Sequence, residues 1–245
     1  MDPSSKPDRP FMFNDLLNAC RRPGCPVCSL TAQAVKHYLE ALFYEFVNDP
    51  GSRDVLLNNY GFCAEHAGLL LRTRIADALG ASIVYRNIIK RILEDFLRPS
   101  GASTAYTIPI RPREHLRFIG RLIGAPNSAR RCPACGQRDA ASERALAGLS
   151  KSLSNKDLQL AYQASDGLCF PHLNRLLELA PSPDDIKFLL DLTRSKLEGL
   201  QSEMTELIRK NDYHYQSEGI TEAEGQAWRK AMRMISGAAI DEMDS

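Results

Sequence analysis

Two cysteine–histidine patterns occur twice in this chain, in the same order, and they constrain it more than any other feature. C-P-V-C at 25–28 is followed by C-A-E-H at 63–66, and C-P-A-C at 132–135 is followed by C-F-P-H at 169–172. The first pattern repeats at an offset of 107 residues and the second at 106, leaving 34 and 33 residues between them. The flanks repeat too. Gly61-Phe62 and Gly167-Leu168 precede the third cysteine of each copy, and Arg21-Arg22 and Arg130-Arg131 precede the first. Agreement at this many positions points to an internal duplication. It uses six of the seven cysteines and leaves Cys20 as a lone thiol.

Thiolate and imidazole are the donors a tetrahedral zinc site prefers. A C-x-x-C turn converges two sulfurs on one point, with proline suited to the turn and Gly136 available for a left-handed backbone in the second copy. Two residues three apart at a helix start share one face, so each C-x-x-H supplies the other half of a site. Taken in chain order, the expected sites are Cys25, Cys28, Cys63 and His66, then Cys132, Cys135, Cys169 and His172. Each is a closed Cys3His set, so two zinc ions per chain are expected in a structural role. A helix N-terminus lowers a thiol pKa and favours the ligating form. Three thiolates around one Zn²⁺ leave a net charge of −1, which the arginine pairs would offset.

Other cysteine chemistries fit less well. Buried free thiols are common, and that reading suits Cys20, but packing requires neither the pairing nor the repeat. Redox C-x-x-C motifs sit in a βαβ context, and redox chemistry leaves His66 and His172 unexplained. An iron–sulfur cluster on three cysteines and a histidine is an alternative that ligand type does not exclude.

Between the motifs the chain reads as helix. Tyr38, Leu39, Leu42, Phe43 and Phe46 continue a stripe begun at Val35. N-D-P-G at 48–51 ends it, and Ser52 is the expected cap of a short helix that follows. From His66 an apolar pattern runs to Phe96, long enough for one helix of about 50 Å with a bend at Gly80. The second copy promises a short helix near 113–123, an alanine-rich helix near 137–151, and a start at Ser154 with Asp157. A further helix begins at Ser182-Pro183 and reaches Lys210. A last one, with a Thr221/Glu224 capping box, ends near Gly237. The expected fold is all-α: two tandem helical repeats, each pinned by a Cys3His site, plus a C-terminal helix. The expected boundaries are a disordered tail at 1–10, repeat one at 11–97, a linker at 98–112, repeat two at 113–211 and the C-terminal helix and tail at 212–245.

The order C-P-x-C, "YLEALFYEFVNDP", "GFCAEH", C-P-A-C and "GLCFPH" resembles an uncharacterised prokaryotic family, labelled only as a domain of unknown function, over residues 11–237 or so. The resemblance implies a cytoplasmic, helical, metal-binding protein and transfers no reaction, substrate or partner.

The net charge of +1 and the lack of a long apolar run predict a protein that is neither a polyelectrolyte nor a membrane span. The polar N-terminus carries no secretory pattern, so the cytoplasm is the expected compartment. Between Arg86 and Arg144 there are twelve Lys/Arg against five Asp/Glu. Arg111, Arg113, Arg117, Arg121, Arg130 and Arg131 are therefore candidates for phosphate contacts with a nucleic acid, although no aromatic residues interleave them. Lys210, Asp212, Tyr213, His214 and Tyr215 crowd one helix end, and His37 and His115 have no evident partner. No nucleotide loop, nucleophile elbow or catalytic metal motif is present. The reading is a non-enzymatic, zinc-stabilised interaction or regulatory module with a protein partner, its binding surface expected in the groove between the repeats. Nucleic-acid binding is one alternative, and an iron–sulfur or thiol redox protein is another.

Overall fold

The computed structural model describes residues 12–47, 49–96, 132–179 and 182–237. Among these are ten α-helices and no strand, as an all-α fold requires. In chain order they are α1 Phe13–Cys20, α2 Pro26–Tyr44, α3 Pro50–Asn59, α4 Ala64–Arg72, α5 Ala78–Phe96, α6 Pro133–Ser152, α7 Lys156–Ala164, α8 Phe170–Glu178, α9 Pro183–Lys210 and α10 Glu222–Ser236. The expected tail, linker and helix near 113–123 lie outside the described residues.

The helix starts follow their capping chemistry. The Ser182 hydroxyl accepts from the Asp185 N–H ahead of Pro183. Thr221 and Glu224 form the full capping box of α10. Two starts differ from expectation. Asp49, not Ser52, caps α3, and its carboxylate accepts from the Ser52 N–H at 2.7 Å. Asn155, not Ser154, caps α7, accepting from the Asp157 and Leu158 N–H groups. α1 is an addition to the expected elements; it buries Phe13, Leu16 and Cys20.

The single helix expected from His66 to Phe96 is two helices. Thr73 is extended (φ −108°, ψ 168°), and its hydroxyl donates back to the Leu69 carbonyl at 2.8 Å, closing α4. Asp77 then caps the next start by accepting from the Gly80 N–H. Gly80 belongs to that new first turn and is not a bend. Apolar residues keep the same spacing on both sides of the break, so periodicity alone does not register it.

The described chain forms two compact units, and they cut across the two sequence copies. One takes the residues up to Ala32 together with those from Ala140 onward; the other is Gln33–Asp139. The first unit has a core of Phe13, Leu16, Val27, Leu146, Leu149, Leu153, Leu158, Tyr162, Leu168, Leu176 and Leu189. Within it α1 packs on α7, and α10 packs on α8 and α9. Lys210 at the end of α9 reaches Glu224 in α10 at 2.7 Å, both side chains only 11% exposed. That pair, and the Asp212–His214 contact at 2.8 Å, make the 210–215 cluster a helix terminus. The second unit centres on Val35, Leu39, Leu42, Phe43, Leu56, Val84 and Ile88, with α3 against α5. His37 is exposed.

Candidate metal centres

Each of the four half-sites is the start of a helix. Cys25, Cys63, Cys132 and Cys169 stand immediately before α2, α4, α6 and α8. The carbonyl of each accepts the first helical hydrogen bond, from Ser29, Ala67, Gly136 and Leu173 respectively. The second ligand lies three residues on, in the first turn. Cys63 (φ −69°, ψ 168°) and Cys169 (φ −69°, ψ 157°) hold the extended backbone of an N-cap, yet neither sulfur bonds the helix's own N–H groups. A serine there would turn inward to cap; the thiol is left free for another partner. The C-x-x-C turns are built the same way, so Gly136 is helical and needs no left-handed backbone.

Two glycines set the approach to the C-x-x-H starts. Gly61 (φ 92°) and Gly167 (φ 85°) are left-handed and lie two residues before Cys63 and Cys169. A Cβ on Gly61 would meet Ile88 Cδ1 at 3.3 Å, and one on Gly167 would meet Lys196 Cδ at 3.1 Å. In the first unit the approach is pinned further. The buried Tyr162 hydroxyl accepts from the Leu168 N–H at 3.2 Å, and Asp166 Oδ2 accepts from the Gly24 N–H at 2.6 Å.

All eight expected ligands fall into two groups of four, but the halves are exchanged. Cys25 and Cys28 meet Cys169 and His172 in the first unit, while Cys63 and His66 meet Cys132 and Cys135 in the second. The expected pairing in chain order is therefore corrected: each group takes two ligands from each copy. α2 starts in the first unit and continues into the range of the second, and α6 does the reverse. The helix after each C-x-x-C thus carries the chain away from its own group before the C-x-x-H arrives. Proximity along the chain does not set the pairing; a helix of 19 or 20 residues, stiff along its length, decides the partner.

The donor atoms of each group lie within 4.8 Å of one another. Cys28 and Cys169 sulfurs are 3.7 Å apart, as are those of Cys63 and Cys135. His172 Nδ1 lies 3.5, 3.4 and 3.1 Å from Cys25, Cys28 and Cys169. His66 Nδ1 lies 3.1, 3.6 and 3.4 Å from Cys63, Cys132 and Cys135. Both histidines present Nδ1. All seven cysteines are free of disulfides.

The metal-free electrostatics differ between the groups. Burial opposes ionisation of Cys25, but contacts with Cys169, Cys28 and His172 hold its pKa well below the ordinary thiol value. Contacts with Cys169 and Cys25, added to burial, push Cys28 up. Burial works against protonated His172, yet Cys169 and Cys25 raise it to about 9. In the second group burial lowers His66 and raises Cys132, and burial with the neighbouring Cys132 raises Cys135 to about 12. The Arg138 guanidinium draws Cys135 back down and is held by Glu65 at 3.1 Å. Arg138 is thus a cation beside this group among the described residues. Arg21 and Arg22 are exposed, and Arg111, Arg113, Arg117, Arg121, Arg130 and Arg131 lie outside the described residues. Cys20 is buried in the first core, where burial raises its pKa to about 11, as suits an inert thiol. Tyr162, Asp166 and Arg138 carry no motif in the sequence; only Asp166, beside a left-handed glycine, bears a turn signal.

A family model described as a family of unknown function, DUF6062, matches residues 13–242. A relative from Caldicellulosiruptor sp. (strain Rt8B.4), described as an uncharacterized 23.9 kDa protein in the xynA 3′ region, is 24% identical over 214 residues, covering 87% of this chain and 95% of its own. No solved structure matches.

Proposed function

The chain belongs to the DUF6062 family, whose function is unknown, and we propose from its own chemistry that it is a zinc-stabilised helical module for interaction or regulation, with one structural ion in each Cys3His group. The donor spacing carries this reading. With Zn–S bonds of about 2.3 Å and Zn–N of about 2.0–2.1 Å, a tetrahedron has S···S edges near 3.8 Å and S···N edges near 3.5 Å. One S···S separation in each group is 3.7 Å, the S···N separations are 3.1–3.6 Å, and every donor pair lies within 4.8 Å. An iron–sulfur cluster spreads its protein ligands over separate irons; four donors this close suit a single ion.

Four protein donors leave no position for substrate, so the ions would orient helices rather than activate water. At each ion the N-terminal dipoles of two helices face the thiolates, which offsets their charge. The free thiols in both groups suit a reducing compartment, consistent with a cytoplasmic protein. Among the described residues no helix is long and apolar enough to cross a membrane. Support for a protein partner comes from α10, where Trp228, Met232 and Ile235 recur at i, i+4 and i+7 and are 45%, 60% and 58% exposed.

Elemental analysis of the purified chain tests the reading: two zinc per chain and no visible absorbance are expected. Iron with a brown colour would replace it with the cluster reading. Binding to generic DNA or RNA that weakens steeply with salt would support the nucleic-acid alternative instead.

A further inference from the structure

Beside the first Cys3His group, whose Cys25 and Cys169 form part of its wall, α9, α10 and the loop leading to Cys169 line a half-open cavity of about 240 Å³. Its charged groups fall into two classes. Lys196 is occupied, donating to the carbonyls of Gln163 and Ser165 at the end of α7. Asp166 is occupied as well, by the Gly24 N–H and by Lys230 at 3.7 Å. Glu203 on α9 and Arg233 on α10 are different. Both line the cavity and are half-buried, and neither has a hydrogen-bond or ion-pair partner among the described residues. Two opposite charges face one space without meeting across it.

The rest of the wall is apolar or small. Leu200 and the buried Met234 line it, and so does Gly199, in the interior of the 28-residue α9. Glycine is disfavoured relative to alanine inside a helix. A Cβ at Gly199 would meet nothing within 4 Å, so the glycine relieves no clash and instead leaves room.

We propose that this cavity binds a small zwitterion of the α-amino-acid class. Arg233, supported by Lys230, takes the carboxylate in a charge-assisted fork, Glu203 takes the ammonium, and the space beside Gly199, Leu200 and Met234 takes the side chain. A simple anion is the poorer match, because Glu203 would be left unpaired against it. The assignment goes beyond the structural-metal reading and does not depend on which ion is bound.

The test is calorimetric titration and thermal shift of the full-length, metal-loaded chain with each of the proteinogenic α-amino acids at millimolar concentration. At least one is expected to bind and raise the melting temperature, and its N-acetyl and carboxamide derivatives are expected not to. Arg233→Met and Glu203→Gln should each weaken binding roughly tenfold or more. Gly199→Met, which fills the cavity from the interior of α9, should abolish it, and two zinc per chain retained in this variant would separate loss of the cavity from loss of the metal group. Absence of binding by every amino acid would overturn the proposal. So would equal binding of the blocked derivatives, or binding that survives both charge-removing substitutions.

Discussion

Cys28 and Cys169 bring their sulfurs to 3.7 Å across 141 residues of chain, whereas Cys63, the nearest following half-site to Cys28, belongs to the other group. Each centre therefore ties the first copy to the second. Two tandem beads would each close on themselves; here neither group is complete without ligands from both sequence copies.

This crossing has a consequence for a chain cut between the copies. A specific protease site introduced within residues 97–131 is expected to yield, after cleavage, two fragments that still elute as one particle carrying both ions. Chelation should weaken that association, and size-exclusion chromatography with light scattering reads it. Fragments that part while each keeps one ion would indicate pairing within each copy.

Tyr162 links the first core to the first Cys3His group. Its ring is buried and its hydroxyl accepts the Leu168 N–H next to Cys169. Tyr162→Phe leaves that buried N–H unpaired, at a cost of about 1–3 kcal/mol. Denaturant unfolding should show the loss. Dissociation of one of the two ions should also quicken, since the backbone before Cys169 is less firmly held.

Gly61 and Gly167 turn the chain into the two C-x-x-H helices from a left-handed backbone. Alanine at either is expected to destabilise by about 1–2 kcal/mol. The effect should be larger at Gly167, where the contact with Lys196 is tighter at 3.1 Å. Equal melting temperatures for wild type and both variants would remove this account of the turn.

Much of this was legible in the sequence, for identifiable reasons. Ligand identity was, because Cys-x-x-Cys and Cys-x-x-His spacing is a local property of a helix start. The caps at Ser182 and Thr221 were readable for the same reason. Ligand partnership was not: it depends on where α2 and α6 carry the chain, and spacing along the sequence holds no record of direction. The break at Thr73–Asp77 was hidden because the apolar period continues through it. Arg138 was hidden because its importance arises only where it lies beside Cys135.

The two histidines should titrate apart in the chelated chain. His172 has its pKa raised to about 9 by Cys169 and Cys25, so its contribution to folding is fully present below the ordinary value near 6.5 and is lost as pH rises through about 9. His66 is lowered by burial, so its contribution is present above 6.5 and is lost as pH falls through its folded value. NMR of the imidazole protons assigned to these two among the five histidines is expected to show His172 titrating above 6.5 and His66 below, and restored zinc should remove both titrations from the range where metal stays bound. His172 and His66 titrating together near 6.5 would contradict this electrostatic picture.

The crossed pairing itself is tested most directly by metal stoichiometry in the double variant Cys28→Ser/Cys169→Ser. If these cysteines share one ion, the variant retains the second centre and purifies with one zinc per chain, against two in the wild type. If they belonged to separate sites, both centres would be broken and the chain would purify with none.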